Sequence, residues 1–154
     1  MSSQMMPRGQ LGVIEQKLQI ITEKLYQRVF DDEMLSAWTT LWNATDEDPD
    51  NCEHFVTAGG IGLFLKCKKK WSMKEDFRKM MGSVGNVAEV EVLRPHLMTS
   101  EFVEAFESLL DSTLFLISYK AAKIIALLLM DGPEAWTISQ PARYRIPKKC
   151  WDGF

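Results

Sequence analysis

Two polar clusters in the sequence have the residue types needed to bind a cation. Trp42, Asn43 and Asp46 lie in the segment LWNATDE, and Asn86 and Glu89 follow Asn43 and Asp46 at a step of 43 residues. Two carboxylates on one surface favour a bound ammonium group or a basic side chain, because their repulsion is costly without a cation. An indole ring beside them adds a cation–π contact. Asparagine can donate to and accept from an extended peptide backbone at once, so the clusters suit a charged peptide.

The same residues also have a purely structural interpretation. Asparagine is common at helix ends, so Asn43 and Asn86 could simply end two helices, with Asp46 and Glu89 solvated in the following turns. Trp42 could equally be a core residue. The spacing alone favours this structural interpretation over a binding site.

The 43-residue step also relates apolar positions. It links Trp38 to Met81 and Ile124, and it links Leu41 to Val84 and Leu127. The polar match stops in the third copy, where Leu129 takes the asparagine position. A fixed period implies stacked units with a continuous core, which predicts an all-α, armadillo- or HEAT-like right-handed α-solenoid of about three repeats. Equivalent helices would then line one concave face, about 10 Å apart.

Helical periodicity and capping residues predict the helices that carry these clusters. Apolar steps of three and four predict helices over about 11–30 and 33–43. Asp48 and Pro49 are typical of the start of the next helix, which Gly59-Gly60 ends. The segment SMKE has the form of a capping box and predicts a helix from there to about Val90.

Three further helix starts and stops complete the pattern. The basic run KCKKKW at 66–71 predicts a solvated helix end, where the lysines complement the helix dipole. Thr99 or Ser100 starts the next helix, and Ser112 starts a last one that stops at 131–133. Alternating strand patterns are absent from the sequence, which favours an all-α chain.

Composition excludes several functional classes. A net charge of −3 and a pI near 5.4 give no reason to expect nucleic acid or an anionic membrane as a partner. Three cysteines without CxxC spacing predict no metal site and a reducing compartment, cytoplasmic or nuclear. Neither a Ser/His/Asp set nor a glycine-rich phosphate loop occurs, so we expect no enzyme activity and no cofactor.

The chain is predicted to have three regions. We expect a flexible N-terminus over 1–10, an armadillo-like repeat domain over 11–138 and an irregular tail over 139–154. Solenoid ends need polar caps, and a tail with Trp151 and Phe154 is a poor one. Either this tail docks back, or the protein oligomerises through its exposed solenoid ends.

Three long segments resemble the C-terminal armadillo-repeat region of the zyg-eleven and zer-one family. They are LWNATDEDPDNCEHFVTAGGIGLFLKC, GNVAEVEVLRPHLMTSEFVEAFESLLDS and ISYKAAKIIALLLMDGPEAWTIS. The likeness covers about residues 12–140, and the order and spacing of the segments also agree. Members of that family are substrate receptors of cullin-two RING ubiquitin ligases. Their armadillo face recognises proteins that begin with an unmodified glycine, the Gly/N-degron.

The resemblance implies a role for each polar residue. Asp46 and Glu89 would hold the α-ammonium group of a glycine-initiated N-terminal peptide, and Asn43 and Asn86 would bind its first peptide groups. Trp42 would pack against the glycine and leave no room for a larger side chain. Cullin-two and elongin subunits are implied as partners through the family's leucine-rich repeats and cullin box, which are not visible in this sequence.

The third segment departs from the family pattern. Lys123 stands where the family tends to have glycine, and Leu127 where it tends to have histidine. If Lys123 lines the pocket, it would compete with the ligand's ammonium group for the carboxylates. Residues 141–154 leave the pattern. The alternative function is therefore a non-catalytic interaction or regulatory paralogue that has lost degron binding and pairs with another solenoid protein.

Overall fold

Helices account for almost all of residues 10–130, the part of the chain that the computed structural model describes. This part contains seven α-helices and two 3-10 helices, and no strand. The α-helices are α1 (Gln10–Gln27), α2 (Asp32–Glu47), α3 (Pro49–Thr57), α4 (Gly60–Trp71), α5 (Met81–Ala88), α6 (Ser100–Leu110) and α7 (Phe115–Leu129). The 3-10 helices are Glu75–Met80, before α5, and Glu91–Leu97, before α6.

Helix α2 is longer than the sequence predicted. It begins after Asp31, whose carboxylate accepts from the Met34 backbone N–H, and it continues to Glu47. Asn43 therefore lies inside the helix, and the interpretation that it ends a helix is wrong. The acidic residues after Asn43 are typical of a turn, but α2 continues through them and ends before Asp48. That residue caps α3 by accepting from the Asp50 N–H, with Pro49 in the first helical turn, as predicted.

The predicted capping box at 72–75 is wrong. Ser72 follows the last residue of α4, and its backbone N–H is already used by the carbonyl of Lys68. The chain then makes the 3-10 helix Glu75–Met80, whose Phe77 and Met80 are fully buried, before α5 begins. The single helix predicted over this segment is therefore a 3-10 helix followed by α5, and the buried side chains of the 3-10 helix fix the position of the chain before α5.

The other predicted boundaries are close to the observed ones. Gly59 has a φ of 92°, a left-handed conformation that suits glycine, and it separates α3 from α4. Thr99 caps α6 by accepting from the Phe102 N–H. Helix α7 begins at Phe115, slightly later than predicted, because Ser112 accepts from the Leu114 N–H in the turn before it.

Helices α2, α5 and α7 lie side by side and carry the 43-residue repeat. Helix α5 packs against both α2 and α7, while α1, α3, α4 and α6 pack around them. The equivalent residues Trp38, Met81 and Ile124 are all buried in one core. The prediction of an all-α solenoid is therefore confirmed, and the apolar echo in the sequence marks its continuous core.

Some sequence predictions fall outside the described residues. They concern residues before 10 or after 130, namely the N-terminus, the helix stop at 131–133, the tail over 139–154 and the exposure of Trp151 and Phe154. Between residues 10 and 130, none of the helices combines the length and the apolar character that crossing a bilayer requires.

Candidate functional site

A tryptophan from α2 lies flat against the backbone of α5. The indole of Trp42 fills the space that a side chain at position 82 would need, and a Cβ atom added to Gly82 would overlap the ring. Gly82 is buried in the first turn of α5. The glycine thus lets α2 and α5 approach each other closely enough for the indole to form one wall of a cavity.

Asn86 joins α5 to the end of α2. Its Nδ2 atom donates to the backbone carbonyl of Trp42 at 3.1 Å and to the Thr45 hydroxyl at 2.9 Å. The Thr45 hydroxyl in turn donates to the carbonyls of Leu41 and Trp42. Since both amide hydrogens of Asn86 are engaged, its carbonyl oxygen is the group left to accept from a ligand.

Two cavities meet at Asn86 and Glu89. The first, of about 120 Å³, is bounded by Trp42 and by residues of α5 and α7. The second, of about 320 Å³, is bounded by Asp46, Cys52 and neighbouring residues of α2 and α3. Asn86 and Glu89 line both cavities. We call the two together the α2–α5–α7 groove.

The first cavity contains two lysines from α7. Lys120 and Lys123 line it together with Ile124 and Leu127. The Nζ atom of Lys120 lies 4.5 Å from the centre of the Trp42 ring, a cation–π contact. Partial burial, together with the positive charges of Lys123 and Arg78, holds the pKa of Lys120 below its usual value of 10.5.

Lys123 lines the first cavity, which the sequence left as an open question, but within residues 10–130 it forms no ion pair with a carboxylate. Its Nζ atom lies 5.7 Å from the centre of the Tyr119 ring. Among residues 10–130, neither Lys120 nor Lys123 forms an ion pair with Asp46 or Glu89. Within this part of the chain, the two carboxylates are therefore not ion-paired with the lysines of α7.

The second cavity is acidic and contains a thiol. Burial, with a smaller effect of the Asp48 and Asp46 carboxylates, raises the pKa of Cys52 to about 11. Its Sγ donates to the carbonyl of Thr45 at 3.3 Å. The thiol is thus protonated at neutral pH and is a poor nucleophile or metal ligand. Within the described residues, no three His, Cys, Asp or Glu side chains are placed to hold a metal ion.

The five residues singled out from the sequence do not all meet. Trp42 lines the first cavity, Asp46 the second, and Asn86 and Glu89 both. Asn43 is exposed on α2 and lines neither. Its equivalent Asn86 is half-buried between helices, so the same residue type at the same repeat position has two different environments.

Sequence reasoning missed Gly82 and Lys120. Lys120 occupies the repeat position of Phe77 and Met34, both fully buried apolar residues, so the 43-residue echo gave no polar signal there. Gly82 lies four residues before Asn86, at the spacing that places both on one helix face. That spacing beside the candidate residue Asn86 was the available signal for a close approach of the helices.

Fold and groove define an α-solenoid repeat protein with a groove lined by charged side chains along its central helices. Comparison with known sequences specifies the family. The sequence model described as "Protein zer-1 homolog-like, C-terminal domain" matches residues 2–153. The chain belongs to this family. The match continues past residue 140, so the expectation that residues 141–154 leave the family pattern is wrong.

Individual relatives agree with this assignment. The chain is 42% identical to the human Protein zer-1 homolog over 93% of its own length and 19% of that protein. It is 38% identical to the Drosophila melanogaster Protein zer-1 homolog, over 90% of the chain and 21% of the relative. Identity to Zyg eleven-related protein 1 of Caenorhabditis elegans is 43%, over 83% of the chain and 15% of the relative. The chain thus spans about a fifth of the length of these curated relatives.

Proposed function

We propose that this chain is the substrate-recognition module of a cullin-two RING ubiquitin ligase receptor. In this proposal it binds, in the cytoplasm or nucleus, proteins whose N-terminus is an unmodified glycine. The chain transfers no ubiquitin itself. Cullin-two and elongin subunits would be recruited through regions that the family's longer members carry.

The observation that carries the proposal is the pair of hydrogen bonds from Asn86 to α2. These bonds fix the end of α2 against α5, so that Asp46 on α2 and Glu89 on α5 open into one groove. Two carboxylates without an ion-pair partner among residues 10–130 attract an ammonium group. A peptide's α-ammonium group has three N–H donors and matches two such acceptors.

The preference for glycine follows from the small first cavity. Trp42 and the Gly82 backbone close one side of it, and the free volume is about 120 Å³. In this proposal, the Asn86 carbonyl oxygen accepts from the first peptide N–H. A larger first side chain would have to displace the indole, which Gly82 holds close to α5 without room to move back.

Isothermal titration with a glycine-initiated peptide and its N-acetylated twin tests the proposal. A charge-assisted hydrogen bond contributes about 1.5–3 kcal/mol, so losing one weakens binding by about tenfold or more. We expect the acetylated peptide to bind at least about tenfold more weakly than the free one. Equal affinities, or no binding of either peptide, would contradict the proposal.

A charge-matched pair of variants separates the groove from the rest of the surface. Glu89→Gln removes a carboxylate that lines both cavities, and Glu53→Gln removes an exposed one on α3. We expect the first to reduce affinity for the free peptide by about tenfold, and the second to leave it within about twofold. Similar losses in both would mean that the peptide responds only to overall charge.

The contact between Lys120 and Trp42 favours a second candidate function. The ammonium group of Lys120 lies 4.5 Å from the centre of the Trp42 ring, so it takes the place that the cation of a ligand would otherwise occupy. In this candidate the chain has lost degron binding and acts as a regulatory partner of another solenoid protein. Light scattering after size exclusion tests it: association that grows with concentration, together with absent peptide binding, supports the second candidate over the first.

A further inference from the structure

The α2–α5–α7 groove has opposite charges at its two ends. Asp46 lines only the second cavity, Lys120 and Lys123 of α7 line only the first, and Glu89 lines both. The guanidinium of Arg78 is close enough to act on Lys120 as a further positive charge. A ligand that spans both cavities therefore meets Asp46 at one end, the two lysines at the other and Glu89 between them.

The positive charge on α7 is not used within the described part of the protein. Lys120 stacks on Trp42 and Lys123 on Tyr119, and neither lysine forms an ion pair between residues 10 and 130. Aromatic faces satisfy a cation only partly, since they leave the N–H donors of the ammonium group without strong acceptors. Two neighbouring ammonium groups of this kind favour an anion, and a carboxylate is the anion that a peptide side chain supplies.

Helix spacing sets how far that carboxylate lies from the peptide's N-terminus. The acidic end of the groove lies between α2 and α5, and the lysines are on α7, which packs next to α5. Adjacent helices are about 8–10 Å apart, and an extended peptide advances about 3.3–3.6 Å per residue. An ammonium group at the acidic end therefore places about the third residue opposite the lysines.

We propose that this groove selects glycine-initiated N-termini that carry an aspartate or glutamate at about the second to fourth position. The glycine's ammonium group is held by Asp46 and Glu89, and the acidic side chain by Lys120 and Lys123. This inference rests on the proposed function, because it takes the glycine end of the peptide as its reference point. It adds a second, charge-based filter to recognition.

Peptide binding measured by fluorescence anisotropy tests the proposal. The probes share a glycine start and a serine background, with one glutamate at position two, three or four, and each has a glutamine twin. We expect one position to bind about three- to tenfold more tightly than its glutamine twin at low salt. The advantage should shrink in high salt, because screening weakens partly exposed ion pairs.

Lysine variants locate the effect. In Lys123→Met and Lys120→Met, we expect the glutamate advantage to fall to less than about twofold, whereas Lys69→Met, exposed on α4, should retain it. A glutamine twin that binds as tightly as every glutamate peptide would overturn the inference, while glycine recognition would stand. An advantage that persists in both lysine variants would also overturn it.

The acetylated twins separate this inference from the proposed function. If acetylated glutamate peptides bind as tightly as free ones and the lysine variants abolish their advantage, glycine recognition fails and the lysines simply bind acidic peptides. If no glycine-initiated peptide binds at all, both claims fail together.

Discussion

The two ends of the groove differ in how their side chains are fixed. At the α2–α5 end, Asn86 is hydrogen-bonded to two groups of α2, and the Trp42 ring lies against the backbone of Gly82. At the α7 end, the contacts that Lys120 and Lys123 make with other charged or aromatic side chains of residues 10–130 are cation–π contacts. The first end is built into the helix packing, whereas the second is made of long side chains that can move without disturbing the fold.

This difference matters for recognition. A rigid end can exclude a wrong first residue, because neither the indole nor the α5 backbone can yield. A mobile end can only add affinity for a favourable side chain, because the flexible lysine side chains adjust to the group that is bound. We therefore expect changes at the α2–α5 end to alter both folding and binding, and changes to the lysines of α7 to alter binding preference much more than stability.

The largest expected effect is that of Gly82→Ala. The added Cβ overlaps the Trp42 ring, so we expect a loss of about 1–3 kcal/mol in the free energy of unfolding and of most peptide affinity. Urea unfolding and titration with the glycine-initiated peptide measure the two effects. Gly62→Ala is the control: this α4 glycine has open space around its Cβ position, and alanine there should stabilise the protein by about 0.5–1 kcal/mol.

A smaller effect should separate the two equivalent asparagines. Asn86→Ala removes both hydrogen bonds to α2 and should lower the free energy of unfolding by about 1–2 kcal/mol. Asn43→Ala removes an exposed side chain and should change it by less than about 0.5 kcal/mol. Urea denaturation of both variants measures the difference. Equal losses would show that the two repeat positions have the same role, against the structure.

The smallest effect concerns pH and Lys120. Since burial and nearby positive charge lower the pKa of Lys120 in the folded protein, the folded state releases this proton at lower pH than the unfolded chain. Its charged form thus opposes folding, and the free energy of unfolding should rise as pH increases through the folded pKa towards 10.5. Subtracting the pH profile of Lys120→Met from that of the wild type isolates this contribution. A difference that falls with pH would contradict it.

Much of the fold could be predicted because its core repeats. The 43-residue spacing relates three buried core residues, Trp38, Met81 and Ile124. Helix caps were also predictable, since Asp48 and Thr99 cap helices as their residue types suggest. Helix lengths were harder to predict, because local signals compete with packing. Asn43 looks like a helix end but lies inside α2, and Ser72 looks like an N-cap although its N–H already serves α4.

The site was only partly predictable for a related reason. Asp46, Asn86 and Glu89 belong to the polar echo between two repeats, which the sequence shows directly. Lys120 belongs to no echo, since its repeat equivalents are apolar, and it reaches Trp42 only through the packing of α7 against α5. Contacts between helices that share no repeat signal need the three-dimensional structure.

A thermodynamic cycle between protein and peptide tests the central claim most directly. Wild type and Glu89→Gln are each titrated with the free and the acetylated glycine-initiated peptide. If Glu89 holds the α-ammonium group together with Asp46, acetylation should weaken binding by at least about tenfold in the wild type and clearly less in the variant, because one of the two carboxylates is already gone. An acetylation penalty of equal size in both proteins would mean that Glu89 does not bind the N-terminus, and would contradict the account.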